Sequence, residues 1–213
     1  MLQISYFIRM FGHDLKHSVK FSRSVEKIFS SLGIENKHGR RSNSPAVFLN
    51  DNKISIAIID LSGKNPIIGG YNMDYFIYPA SLYKIFIAAE ALRQAEKGKI
   101  NLNKKIVISK INAVDKRKQI PCDKNKLLKA GQRVNMRYLL ELMLSRSDNT
   151  AANCLIDLVG RESINRNIIK KYGWSGSEVT RKFLPRKFEN KKWKKAPITV
   201  TCAKHIAEFF FLV

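Results

Sequence analysis

Two short stretches of this sequence carry residue types that can do acyl-transfer chemistry. In Tyr78-Pro79-Ala80-Ser81-Leu82-Tyr83-Lys84 an extended run ends at a proline. Leu82, Ile85, Phe86, Ala88, Ala89 and Leu92 then recur at spacings of three and four before Gly98, the pattern of a helix with one apolar face and a glycine stop. The helix is predicted to start at or next to Ser81. Lys84 lies one turn further on, so hydroxyl and amine share a face, as a nucleophile beside a candidate base. The hydroxyl also stands at the positive helix end, near free N–H groups able to hold an oxyanion. Serine is equally a preferred helix N-cap, and the same spacing at Ser24 and Lys27, in a polar stretch with no strand before it, is read as chance. The second stretch, Ser147-Asp148-Asn149, adds a hydroxyl, a carboxylate and an amide between two predicted helices.

The elements that must hold these groups follow from periodicity. Residues 54–61 are apolar and β-branched and read as a buried strand, Ser62-Gly63-Lys64-Asn65-Pro66 as a turn, and residues 67–71 as a second strand, a hairpin feeding the Ser81 helix. A short strand is expected at 106–108. Residues 134–144 form a helix with Tyr138, Leu139, Leu142 and Met143 on its apolar stripe. The next helix opens at Ser147 and carries Ala151, Ala152, Leu155, Ile156 and Leu158 up to Gly160, and a third spans 161–172 up to Gly173. Near the N-terminus a helical segment is expected around 25–32, and the charged run 36–45 reads as a loop or linker. No repeat of 20 to 50 residues is visible.

With 213 residues and 45% hydrophobic content the chain can build one sizeable core, or a core with a small helical lobe. The net charge of +22 suits an anionic polymer or membrane surface. Lysine is nonetheless scattered along the whole chain, and no zinc cluster, RNA-binding aromatic motif or arginine-rich recognition helix stands out, so no nucleic-acid partner is expected. The stretch 170–195 holds ten Lys/Arg against two Glu and is read as a solvated surface. Cys122, Cys154 and Cys202 are too few and too widely spaced for a metal site or a disulfide framework, and Cys154 falls among apolar helix positions as a small hydrophobe. No cofactor or metal is expected. Residues 1–11 are apolar but broken by Arg9 and run into Gly12, His13 and Asp14, which is not the order of an export signal. No stretch approaches the roughly 20 apolar residues of a membrane span.

Ser81-x-x-Lys84 after a hairpin, followed by Ser147-Asp148-Asn149 between helices, resembles the serine penicillin-recognising enzymes of the class A β-lactamase type. The run Met143-Leu144-Ser145-Arg146-Ser147-Asp148-Asn149-Thr150-Ala151-Ala152-Asn153 is similar to that family's central helical segment, and Tyr78-Pro79-Ala80 to its D-alanyl-D-alanine carboxypeptidase relatives. The resemblance implies an α+β fold: an antiparallel sheet packed on helices, with an all-α lobe. It spans residues 46–213, with 1–45 a basic N-terminal segment. It implies a β-lactam or D-Ala-D-Ala peptide substrate, a monomer, and a periplasmic or extracellular location. It makes Ser81 the acylated nucleophile, Lys84 its base, Ser147 the proton donor to the leaving nitrogen, Asn149 a ligand of Lys84 and of the substrate amide, and Asp148 a structural residue, such as a helix cap. For the lysine to serve, its pKa must fall about 3 units from about 10.4, at a cost of roughly 4 kcal/mol.

Two departures from the family pattern are visible. The glutamate that serves class A enzymes in deacylation belongs on the loop Thr180-Arg181-Lys182-Phe183-Leu184-Pro185, where its place holds Lys182 or Phe183. Glu189 is the one nearby carboxylate and the remaining candidate base. The family's third motif, Lys-Thr-Gly or similar on a strand beyond the last helix, has no counterpart before the sequence stops in the apolar run 209–213. A shortened reading frame is therefore expected, lacking three strands of the sheet and leaving an unpaired hairpin edge. The resemblance implies a serine hydrolase acting on β-lactams through a Ser81 acyl-enzyme, the alternatives being a protein that acylates without efficient turnover or an inactive one.

Overall fold

The computed structural model describes residues 15–32, 54–118 and 120–212. The expectations for 1–11 and 36–45 fall outside them. The described backbone groups into two compact units, one drawn from residues up to 78 and from 200 onward, the other from residues 79–199.

In the first unit, strands β2 (Ile56–Asp60) and β3 (Ile67–Tyr71) form the expected antiparallel hairpin, with Ile58 opposite Gly69. A further strand was not legible in the sequence: β1, Lys16–His17, pairs in parallel with β3. The sheet is thus mixed, in the order β1-β3-β2. Among the described residues β3 is paired on both sides, and β1 and β2 are the two edge strands of this sheet.

Helix α1 (Val19–Ser31) starts six residues earlier than periodicity suggested because Ser18 caps it, accepting from the Phe21 N–H. It lies on β3 at two glycines. A Cβ at Gly69 would come 2.8 Å from the Phe21 ring, and one at Gly70 would collide with the Ile56 carbonyl oxygen. The Ser22 hydroxyl accepts from the Gly70 N–H at 3.2 Å, closing helix onto sheet. The C-terminal helix Ala203–Leu212 packs on β2, burying Phe209 and Phe211 while Phe210 faces outward. Ahead of that helix, Ile77 and Thr201 exchange backbone hydrogen bonds of 2.9 and 3.1 Å.

The second unit is mostly helical. A 3-10 turn, Ala80–Tyr83, leads into helix α2, Lys84–Glu96, so Ser81 sits in the tight turn and Lys84 is the first α-helical residue. Strand β4 (Lys105–Val107) pairs with β5 (Arg133–Asn135). The second member corrects the expectation that a helix began at residue 134. Val134 belongs to the strand, and Asn135 caps helix α3 (Met136–Ser145) by accepting from the Tyr138 N–H. Helix α4 spans Asn149–Val159. The third predicted helix is a short α-turn, Arg161–Ile164, continuing as π-helix over Asn165–Lys170. Tyr83, Phe86, Leu139, Leu142, Leu155, Ile156 and Trp174 form the core.

The buried Glu90 carboxylate pins the register of α2. It accepts two bonds of 2.6 Å from Arg93 and one each from Gln94 and Asn167, and Gln94 also donates to the Val159 carbonyl. A fully satisfied buried network of this kind costs several kcal/mol to break at one member. Cys154 is buried in α4, and burial pushes its thiol up to about 11, so it packs as an unreactive apolar side chain.

Candidate active site

The two motifs meet in the helical unit. Lys84 is 2% exposed, and its Nζ donates to three acceptors: the Ser147 carbonyl at 2.5 Å, the Ser147 hydroxyl at 2.9 Å and Asn149 Oδ1 at 2.8 Å. Three N–H bonds saturate an ammonium, so the resting geometry is that of the charged form. None of the three goes to Ser81, which stands half-buried one turn earlier, behind Ala80 in the left-handed region at φ 47°.

Burial pulls the Lys84 amine down to about 8, while the Asp115 and Asp148 carboxylates work in the other direction. The neutral fraction at pH 7 therefore rises from about one in 2,500 to about one in ten. A lowered lysine pKa also marks the pH dependence of folding. Below pH 8 the folded and unfolded chains both hold this proton, and the burial penalty operates in full; above 10.5 both have lost it. Stability contributed by this group should thus rise between those values, by at most about 3 kcal/mol. Urea denaturation of wild type and Lys84→Met at the two ends of that window measures it. A wild type that gains nothing relative to the variant would refute the shift.

The Ser147 turn is held under strain. Ser147 adopts φ 60°, a conformation costing of the order of 1 kcal/mol or more for a non-glycine residue. It presents both its oxygens to Lys84, and its neighbours fix it from either side. Arg146, 5% exposed, donates to Asp148 Oδ2 at 2.8 Å, to Asp123 Oδ2 at 2.9 Å and to the carbonyls of Asn125 and Lys126. The Arg146 hydrogen bonds hold the Asp123 carboxyl down at about 2. Asp148 caps α4, accepting from the Ala151 N–H at 2.7 Å.

On its remaining side Lys84 meets a ring rather than a carboxylate. Phe183 lies with its centroid 4.3 Å from Lys84 Nζ and stacks on Tyr83 at 4.9 Å, the two planes 1° apart. Its backbone is fixed by Asn153, which accepts from the Phe183 N–H at 2.7 Å and donates to its carbonyl at 3.3 Å. Lys182 turns the other way, to Asp157 at 2.8 Å. The expectation that Glu189 supplies a base meets a different geometry. Its carboxylate is buried, with one oxygen on Arg161 at 2.8 Å and the other on the Lys182 N–H at 3.1 Å. It fastens the 180–190 loop to Arg161, which also donates to the Thr180 carbonyl. A carboxylate bound in this way has much of its charge engaged by a guanidinium and serves to hold the loop.

Asp115, Arg146, Asn153 and the stacked Tyr83 were not singled out by sequence reasoning. Arg146 and Asn153 lie inside the quoted helical segment, but nothing in the spacing around Asp115 marks it. It also lines a shallow, open surface hollow with Val114, Lys116 and Arg117.

The profile of the beta-lactamase enzyme family matches residues 45–213, well over half of the chain. This chain belongs to the beta-lactamase enzyme family. Among solved structures, a beta-lactamase from Sphaerobacter thermophilus DSM 20745 is similar at 25% identity and TM-score 0.56, over 76% of this chain and 56% of that one. A beta lactamase from Xanthomonas campestris pv. campestris str. ATCC 33913 is similar at 19% identity and TM-score 0.58, over 79% and 60%. PBP-A, in its L158E mutant as an acyl-enzyme complex with penicillin G, is similar at 14% identity and TM-score 0.60, over 89% and 60%. The chain therefore spans between 56% and 60% of the length of these solved relatives. No curated protein matches it significantly. The fold is the α+β fold of this family, and among the described residues no helix is long and apolar enough to cross a membrane.

Proposed function

We propose that this beta-lactamase family chain is a serine acyl-transfer hydrolase that opens β-lactams through an ester on Ser81. The observation that carries the reading is the Lys84 amine: buried, lowered to about 8, held between Ser147 and Asn149, and one turn from a half-buried serine. In its neutral form Lys84 takes the Ser81 proton as the Ser81 oxygen bonds to the lactam carbonyl carbon. When the carbon–nitrogen bond breaks, the Ser147 hydroxyl gives its proton to the departing nitrogen and recovers one from Lys84, which is already hydrogen-bonded to it. Asn149, with its oxygen on Lys84, offers an N–H toward a substrate amide.

Water must then attack the ester, and the group beside Lys84 is the Phe183 ring. This observation favours slow release, so the chain behaves more like a penicillin-binding protein than an efficient lactamase. The native substrate class is a β-lactam or a D-Ala-D-Ala peptide, and the working location is outside the cytoplasm.

Fluorescent penicillin provides the test. The expected result is a label that survives denaturing electrophoresis, maps by peptide mass spectrometry to the Ser81 peptide, and persists far longer than it takes to form. A chromogenic cephalosporin should give a burst of about one equivalent and little after it. Absence of label, or a label on another residue, would sink the reading.

A further inference from the structure

We infer that Asp115 is a positioning residue of this site: from the loop ahead of the second motif it locks the Asn149 amide so that its oxygen, and not its nitrogen, faces the Lys84 amine. Asp115 Oδ1 accepts from Asn149 Nδ2 at 2.9 Å, while Asn149 Oδ1 accepts from Lys84 at 2.8 Å. An amide placed between a carboxylate and an ammonium has one permitted orientation, because turning it over sets oxygen against oxygen and N–H against N–H. The other carboxylate oxygen, Oδ2, accepts from the backbone N–H groups of Asn149 at 2.7 Å and Thr150 at 3.1 Å. Asp115 therefore caps the first two N–H groups of α4, while Asp148 caps the third. The clamp is reciprocal, since the buried Thr150 hydroxyl accepts from the Val114 and Asp115 N–H groups at 3.1 and 3.3 Å.

Asp115 also acts on Lys84 by charge. The groups around the amine are Asp148 and Ser147 from the turn before α4, Asn149 on α4, Asp115 on its loop, and the uncharged Phe183 ring. Asp148 is ion-paired with Arg146 at 2.8 Å, whereas among the described residues Asp115 has no ion pair. Asp115 is thus a negative charge without an ion pair that favours the protonated amine, partly offsetting the burial that lowers Lys84.

The kinetic consequence rests on the acyl-transfer reading; the lock itself does not, and the experiment separates them. Asp115→Asn removes the charge but keeps an oxygen for the helix N–H groups, whereas Asp115→Glu keeps the charge one methylene further out. In lysine-labelled protein the Lys84 side-chain NMR signal, assigned by its loss in Lys84→Met, is titrated, and the rate of fluorescent-penicillin labelling is followed against pH. In Asp115→Asn the Lys84 midpoint and the acid limb of labelling should both fall by roughly one pH unit. The plateau rate should fall by about three- to tenfold, because an asparagine neighbour lets the Asn149 amide turn either way. In Asp115→Glu the midpoint should remain within a few tenths of a unit of wild type. A residue that merely capped the helix would lower the melting temperature of Asp115→Asn and leave the midpoint unmoved, and that result overturns the inference. So does a midpoint that falls by a full unit in Asp115→Glu, which keeps the proposal exposed even if the asparagine variant does not fold. A wild type that takes no label, with the midpoint still falling in Asp115→Asn, would overturn the acyl-transfer reading and leave the lock standing.

Discussion

Replacing Phe183 by glutamate should shorten the life of the Ser81 ester by about 10²- to 10⁴-fold, the usual worth of a positioned general base. The site is prepared for the exchange in one respect. Asn153 holds the backbone of residue 183 by two hydrogen bonds that do not depend on its side chain, and the native ring already lies against Lys84. The exchange carries two costs. The stack on Tyr83 is lost, worth about 1–3 kcal/mol for a half-buried ring lying on a buried one. A new carboxylate beside Lys84 also raises an amine now at about 8, so labelling at neutral pH should slow as release quickens. Pulse labelling with fluorescent penicillin followed by a chase gives the lifetime directly. Phe183→Leu, which removes the ring without adding a base, is the control and should leave the lifetime unchanged. A glutamate variant whose ester lasts as long as that of wild type would show that the ring is not what limits release.

Lys84→Met is expected to slow acylation by about 10³- to 10⁴-fold, combining the loss of the base with the loss of the donor that supports Ser147. Methionine matches the length of the stem and spares the fold an interior charge. It leaves Asn149 Oδ1 and the Ser147 carbonyl without their donor, at about 1–3 kcal/mol each if water does not enter. Lys84→Arg separates two explanations. It restores a cation and its N–H groups but has no accessible neutral state, so an arginine variant that labels normally would rule out proton abstraction and leave only electrostatic support. The prediction is that it labels no faster than methionine.

The sequence was informative wherever a residue's role is local. Residues 67–71 are β-branched and then glycine-rich, and they form the expected strand; Gly98, Gly160 and Gly173 all take positive φ at the ends of the segments they were expected to close. Periodicity misled at Val134, whose apolar side chain fits the stripe of the next helix equally well, although Asn135 between them carries the cap. Lys16 and His17 have no apolar pattern because their pairing with β3 is made by the backbone. In the site, five residues, Ser81, Lys84, Ser147, Asp148 and Asn149, fall on the motifs themselves. Choosing between Lys182 and Phe183 needed coordinates, because two adjacent residues on an irregular loop face opposite ways and counting cannot tell which. Asp115 was invisible for a stronger reason: it acts on a residue 34 positions away through bonds to an amide and two peptide groups, and such a partnership leaves no period to detect.

The backbone at residue 147 also chooses between two alcohols. Threonine would bring a hydroxyl of the same acidity and reach. Its branched Cβ, however, crowds the neighbouring peptide oxygens when φ is near 60°, whereas serine carries one heavy atom there and tolerates the twist. Which hydroxyl can relay a proton here is therefore decided by torsional geometry rather than by reactivity.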